Sequence, residues 1–265
     1  MYKSSALKLG KFPQGFNDGV VVPKEGFSVI SVGNYNRVPV ILGSDATEFS
    51  SFAWSGSLTS ELDEVAGITS SSQMMNLVAN GIKYGSMLQS GHYIEKTAEL
   101  LSQDAAHSNI YAYRFRWGTD SRVTDGFYSR YVGAFHGASK DFLRGIYKNN
   151  YADYSPNAIA SANKPGRVAL TTLMQKYVGN FLASGNPNGA SLADWGTWNN
   201  ASGAQKIMIF DADSEKSISG MSSEYYDEMG TFAQMRSSLT KSEYNILVKS
   251  LFAERFFMPA VVPEY

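Results

Sequence analysis

The chain contains no cysteine, which excludes disulfides, thiolate metal ligands and a cysteine nucleophile. Histidine is scarce as well. The three present, His92, His107 and His136, are scattered, which argues against a zinc site built on imidazoles. Neither sign of charge is in excess: 23 Lys and Arg stand against 24 Asp and Glu, and no block of like charge occurs. A nucleic-acid binder would need a basic face, so that class falls away. No apolar run approaches the roughly 20 residues of a membrane span. The opening Met1-Tyr2-Lys3-Ser4-Ser5-Ala6-Leu7 lacks the apolar core of a signal peptide. With Met1 as the start, the expected compartment is the cytoplasm. No metal or organic cofactor is implied. One missing motif matters most: none of the 265 residues forms Gly-x-Ser-x-Gly, the pentapeptide that presents a serine nucleophile on a strand-to-helix turn.

What is present is an ordinary globular composition, 43% apolar and 18% charged, in a chain long enough to bury one large core. Short apolar runs closed by turn residues predict buried strands at Val38 to Gly43, Ile110 to Trp117 and Ile207 to Phe210. Helix-length segments lie between them, so the expected fold class is α/β, a layered sheet in a single domain over 1–265. Leu170, Leu173, Met174, Tyr177, Val178, Phe181 and Leu182 form one apolar stripe, predicting a helix from about Val168 to Ser184 with Gly185 as its cap and Pro187 beyond. Thr240-Lys241-Ser242-Glu243 is a capping box that should open another helix, with Tyr244, Leu247, Leu251 and Phe252 facing inward. Gln73 to Gln103 reads as helix interrupted near Gly81, Gly85 and Gly91, whereas Ser55 to Ser72 and Asn149 to Pro165 read as loops.

Two residues carry the chemistry. His136 lies in Gly133-Ala134-Phe135-His136-Gly137, where flanking glycines let backbone pack closely around an imidazole. Glu48 follows the first strand, five residues after Gly43, with Asp45 as the alternative acid. Taken singly, a histidine is most often an ordinary hydrogen-bonded side chain and a turn glutamate a solvated one; His92 and His107 keep that reading. Asp211-Ala212-Asp213-Ser214-Glu215 alternates carboxylates but lacks the glycine and distal glutamate of a calcium loop, so it reads as a solvated turn. Asn200-Ala201-Ser202 fits a glycosylation sequon, meaningful only in a secreted protein. Ser55-Gly56-Ser57 is half of a nucleophile turn, but it follows the acid.

In order along the chain, a set of strings resembles the C-terminal half of the type B carboxylesterases, the family that includes the cholinesterases. They are Asn17-Asp18-Gly19 with Pro23, Asn36-Arg37-Val38-Pro39-Val40-Ile41-Leu42-Gly43, Tyr111-Ala112-Tyr113-Arg114-Phe115, and the Gly133 to Gly137 loop. Tyr177, Asn180 and Phe181 with Gly185-Asn186-Pro187-Asn188 follow, and then Trp195 with Trp198. The resemblance implies the C-terminal portion of an α/β-hydrolase sheet, with Glu48 as triad acid and His136 as triad base. The fold's chain order of nucleophile, acid, histidine puts the serine before Glu48. Two positions depart from the family: Ser139 stands where a glutamate usually follows the histidine, and Thr47 where an aspartate usually precedes the acid.

The function implied is that of part of a serine carboxylic ester hydrolase. It would supply acid and base to an N-terminal half that carries the serine and the oxyanion donors, act on a small carboxylic ester, and be inactive alone. The alternatives are a non-catalytic interaction protein of the cholinesterase-like kind, or a truncated product without independent function. A sheet that starts near Val38 would present an apolar edge, through which self-association is also expected.

Overall fold

A computed structural model describes residues 18–265 apart from 22, 27, 55–70, 108, 151, 154, 254 and 260. The opening Met1 to Leu7, Asn17 of the first family-like string and the Ser55-Gly56-Ser57 turn lie outside the described residues. The elements in chain order are α1 (Ser28–Ser31), β1 (Val40–Asp45), α2 (Ser50–Trp54), α3 (Ser71–Ser90), a π-helical turn (Gly91–Glu95) and α4 (Lys96–Leu101). Next come β2 (Ile110–Phe115), α5 (Gly126–Tyr131), α6 (Ala138–Arg144), α7 (Lys164–Ser184), β3 (Ile207–Ala212) and β4 (Ser217–Ser222). The last elements are α8 (Glu228–Ser238), α9 (Lys241–Ile246) and a second π-helical turn (Leu247–Leu251).

The fold is α/β. One sheet has the order β1-β2-β3-β4; β1, β2 and β3 run parallel and β4 returns antiparallel. Because parallel strands need long crossovers, each sheet face receives a helical layer. Successive residues of β2 therefore serve different layers. Ile110 and Ala112 pack with Ile94, Ala98 and Leu101 of the π-turn and α4, while Tyr111 and Phe115 pack with Leu170, Met174 and Tyr177 of α7. Trp195 docks on that second face, donating its indole N–H to the Ala112 carbonyl at 3.1 Å. A third cluster joins α3 to α8, α9 and the C-terminal segment through Leu77, Ile82, Phe232, Tyr244 and Phe252.

The structure adjusts several expectations. β1 is only half-buried from Val40 to Gly43, because it is the outer strand of the sheet among the described residues. α3 begins at Ser71 and runs unbroken past Gly81 and Gly85. The missing side chain at Gly85 accommodates the Phe49 ring, since a Cβ there would stand 2.4 Å from Phe49 Cδ1. The interruption comes at Gly91, where the helix widens to a π turn against the Tyr226 carbonyl. α7 starts a turn earlier than its apolar stripe, at Lys164, with Pro165 in the first turn, where its missing N–H costs nothing. The carboxylate-rich stretch is divided. Asp211 and Ala212 belong to β3, and Asp213 closes the hairpin to β4 by accepting the Glu215 and Lys216 amides, each at 2.8 Å. The capping box at Thr240 and Glu243 forms as its sequence predicts, and Gly185 closes α7 at φ +73°.

Candidate active site

Ligand-binding residues of parallel sheets gather beyond the carboxyl ends of the strands, and both candidate residues lie there. Glu48 sits in the turn that leaves β1. Its Oε2 accepts the Asp45 backbone N–H at 3.2 Å, which folds the side chain back onto the strand end. His136 is reached from the end of β2 by way of α5. The imidazole Nδ1 and Glu48 Oε1 stand 2.7 Å apart. An ionised carboxylate can only accept, so the proton of this contact rides on Nδ1 and Nε2 is left as the basic nitrogen. The Glu48 side chain is 14% exposed and that of His136 57%, so the histidine is open to solvent while its partner is sheltered. The Phe52 ring packs against the imidazole at 5.8 Å between centroids.

The two loops are joined by backbone. Thr47 and Phe135 form a parallel bridge; the Thr47 N–H donates to the Ala134 carbonyl at 3.0 Å and its hydroxyl to the Val132 carbonyl at 2.8 Å. Gly133 and Gly137 take φ of +57° and +84°, a region that penalises any residue with a Cβ. At Gly133 a Cβ would also stand 2.6 Å from Thr47 Oγ1. The glycines around His136 thus answer both to backbone conformation and to the closeness of the acid loop.

Asp45, the alternative acid, makes no bond to the imidazole. It holds the histidine loop from beneath: Oδ2 accepts the Gly137 N–H at 2.8 Å and Oδ1 the Ser139 N–H at 3.1 Å. Gly137 precedes α6 as its cap residue and has no side chain, so Asp45 supplies the oxygen that an N-cap residue would. Asp45 is 4% exposed. Burial, then the neighbouring Glu48 carboxylate, pushes its carboxyl up, against the opposing pull of the Ser139 and Gly137 donors. The departure at Ser139 falls in this contact. Its hydroxyl accepts from Tyr113 at 3.4 Å, and burial pushes that phenol up to about 12, so it keeps its proton. The departure at Thr47 falls in the bridge described above.

The sheet beneath this end carries a polar network that sequence reading missed. Arg114 of β2 binds Glu95 at 2.5 Å, Ser90 Oγ at 2.8 Å and Glu224 at 2.6 Å, with its guanidinium 4.0 Å from the Tyr226 ring centre. Burial opposes charge at Glu224, but Arg114, Tyr226 and Arg116 hold its carboxyl below the usual range. Ser90 also meets Ser44 Oγ at 2.9 Å, which links the network to β1 one residue before Asp45. Beside His136 opens a depression of about 460 Å³ lined in part by Lys140, Asp141, Arg144 and Lys148. His92 packs on Tyr93 and Phe256, and His107 Nδ1 lies 2.9 Å from the Tyr35 hydroxyl. Among the described residues no cluster of three or more metal-type ligands occurs, and no helix is long and apolar enough to cross a membrane.

No family model and no curated protein matches the sequence. Solved structures do. The chain is similar to the carboxylesterase EST55 of Geobacillus stearothermophilus at 20% identity and TM-score 0.47, over 89% of this chain and 47% of that one. It is similar to a PNB esterase at 15% identity and TM-score 0.45, over 83% and 45% of the two chains. An esterase from Clostridium hathewayi, described as hydrolysing aliphatic aromatic polyesters, is similar at 14% identity and TM-score 0.37, over 69% and 35%. The chain thus spans about half the length of the first two.

Proposed function

We propose that this chain is the C-terminal part of a serine carboxylic ester hydrolase, in which Glu48 and His136 are the acid and base of the catalytic triad. The observation that carries the reading is the 2.7 Å contact between Glu48 Oε1 and His136 Nδ1 on two loops seamed at Thr47 and Phe135. A serine hydroxyl attacks an ester carbonyl as His136 Nε2 takes its proton. Glu48 fixes the tautomer and stabilises the imidazolium that forms. The proton then passes to the departing alkoxide, leaving an acyl ester on the serine, which water opens by the same relay. The serine and the oxyanion donors come from an N-terminal portion, whose sheet continues from the β1 edge. Removing even one such donor costs on the order of 10²–10³ in rate, so the chain alone is inert.

The test begins with the coding sequence immediately upstream of the Met1 codon. A Gly-x-Ser-x-Gly turn encoded there, joined to this chain, should hydrolyse a short p-nitrophenyl ester. In that protein His136→Ala should lower kcat by on the order of 10⁴ or more and Glu48→Ala by roughly 10⁴. Hydrolysis that persists at full rate in His136→Ala would refute the assignment.

A further inference from the structure

We propose that Asp45 is a positioning residue for the Glu48–His136 pair: its buried carboxyl accepts the backbone N–H groups on the C-terminal side of the histidine and so fixes the direction in which the imidazole points. The inference rests on the reading of that pair as a catalytic acid and base.

The geometry supports it from three sides. First, the two bonds fall on Gly137 and Ser139, the first and third residues after His136, so one rigid carboxyl plane holds the loop just past the imidazole. Gly137 is the residue at φ +84°, where glycine has the widest backbone freedom and an external restraint does the most to select one conformation. Second, the same residue is tied to the acid. The Asp45 N–H donates to Glu48 Oε2 at 3.2 Å and its carbonyl accepts the Glu48 N–H at 3.2 Å. Its main chain therefore sets Glu48 while its side chain sets the loop of His136. Third, Asp45 is the last residue of β1, in register with Phe115 of β2, so the restraint is anchored in the sheet and not in another loop. Glu48 Oε1 is left free for Nδ1 because Oε2 is occupied by this strand end. A hydrogen-bonded pair of this kind tolerates little misalignment, and angles well below about 120° remove most of its strength.

The test uses the full chain with ¹⁵N-labelled histidine, reading the ratio of Nδ1–H to Nε2–H tautomers of His136 from ring nitrogen shifts at a pH where the ring is neutral. Glu48→Ala should lower that ratio about tenfold, the scale of losing one hydrogen bond to a charged group. Asp45→Asn, which retains the shape of the side chain but opposes an amide NH₂ to one of the two backbone donors, should lower it by a similar factor although Glu48 is intact. Thr240→Ala, a destabilising change in the capping box of α9, should leave the ratio alone. A ratio unchanged in Asp45→Asn but lowered in Glu48→Ala overturns the role of Asp45 and leaves the pair standing. A ratio unchanged in Glu48→Ala overturns the pair and the positioning role with it. A ratio lowered equally by Thr240→Ala reduces the effect to general loosening and also overturns the proposal. If Asp45→Asn does not fold, amide hydrogen exchange in the unaltered chain decides: protection of both the Gly137 and Ser139 N–H supports the clamp, and free exchange at either overturns it.

Discussion

Replacing Arg114 by methionine should cost about 3–5 kcal/mol of folding stability. Arg114 and Glu95 are each 1% exposed, so neither can turn to solvent when its partner is lost. Methionine fills much of the space of the arginine stem but leaves the Glu95 carboxylate with two neutral donors, the Ser90 hydroxyl at 3.1 Å and the Tyr226 N–H at 3.3 Å. Glu224 fares better. It is 20% exposed and still holds Arg116 at 2.9 Å, so the penalty falls mainly on Glu95. Domains of this kind are stable by roughly 5–15 kcal/mol in total, which makes the loss a large fraction of the whole. Urea denaturation followed by tryptophan fluorescence is the assay. With a slope of about 3 kcal/mol per molar, the midpoint should fall by about 1–1.7 M. The double variant Arg114→Met with Glu95→Met should regain most of the loss, because removing both buried charges also removes both desolvation costs. A single-variant loss under about 1 kcal/mol, or a double variant no more stable than the single, would refute the view that this ion pair is dry and tightly coupled.

Two more outcomes follow from the same packing. Gly43→Ala should destabilise by roughly 1–3 kcal/mol by overpacking, since the new Cβ would stand 1.9 Å from Tyr113 Cε1, and pairing it with Tyr113→Ala should relieve much of the cost in the same denaturation assay. Asp45 and Asp211 should each contribute stability that falls as pH rises from about 4, Asp211 up to about 6 and Asp45 up to about 8. The folded chain holds the Asp45 proton up to about 8 and the Asp211 proton up to about 6, while the unfolded chain releases both near 3.8. Asp45→Asn should abolish this contribution to the slope above pH about 6 and roughly halve it below, where Asp211 alone remains. An unchanged slope across pH 6–8 in that variant would contradict the burial assigned to Asp45.

The strands most legible in the sequence were those covered on both faces, because burial on two sides makes a short continuous apolar run. Ile110 to Phe115 is such a run, and Arg114 within it gave no warning, since its partners Glu95 and Glu224 lie 19 and 110 residues away in sequence. β4, Ser-Ile-Ser-Gly-Met-Ser, is small, polar and half-exposed, so neither alternation nor hydrophobicity announced it. Local chemistry was readable where the partners are close in sequence. The Thr240–Glu243 box and the Gly185 cap are of this kind. Helix starts and breaks were less so: Gly85 is accommodated by Phe49 from another element, and only the assembled fold shows why a glycine there leaves the helix intact. At the site, the glycines about His136 and the spacing of Glu48 pointed to the pair. Asp45 looked like a rival acid because nothing local reveals that its carboxyl turns to the main chain of a loop 92 residues on.

The seam between Thr47 and Phe135 bears on how an assembled hydrolase would come together. A triad split over independent loops would require three groups to be brought into line at once, each with its own rotational freedom to lose. In the proposed reading two of the three, Glu48 and His136, are already in contact, on loops bridged at Thr47 and Phe135. On that reading an incoming serine loop would have a single orientation left to find, so much of the entropy of alignment, which can amount to several kcal/mol of an assembly's free energy, would be spent within this chain before any partner arrives.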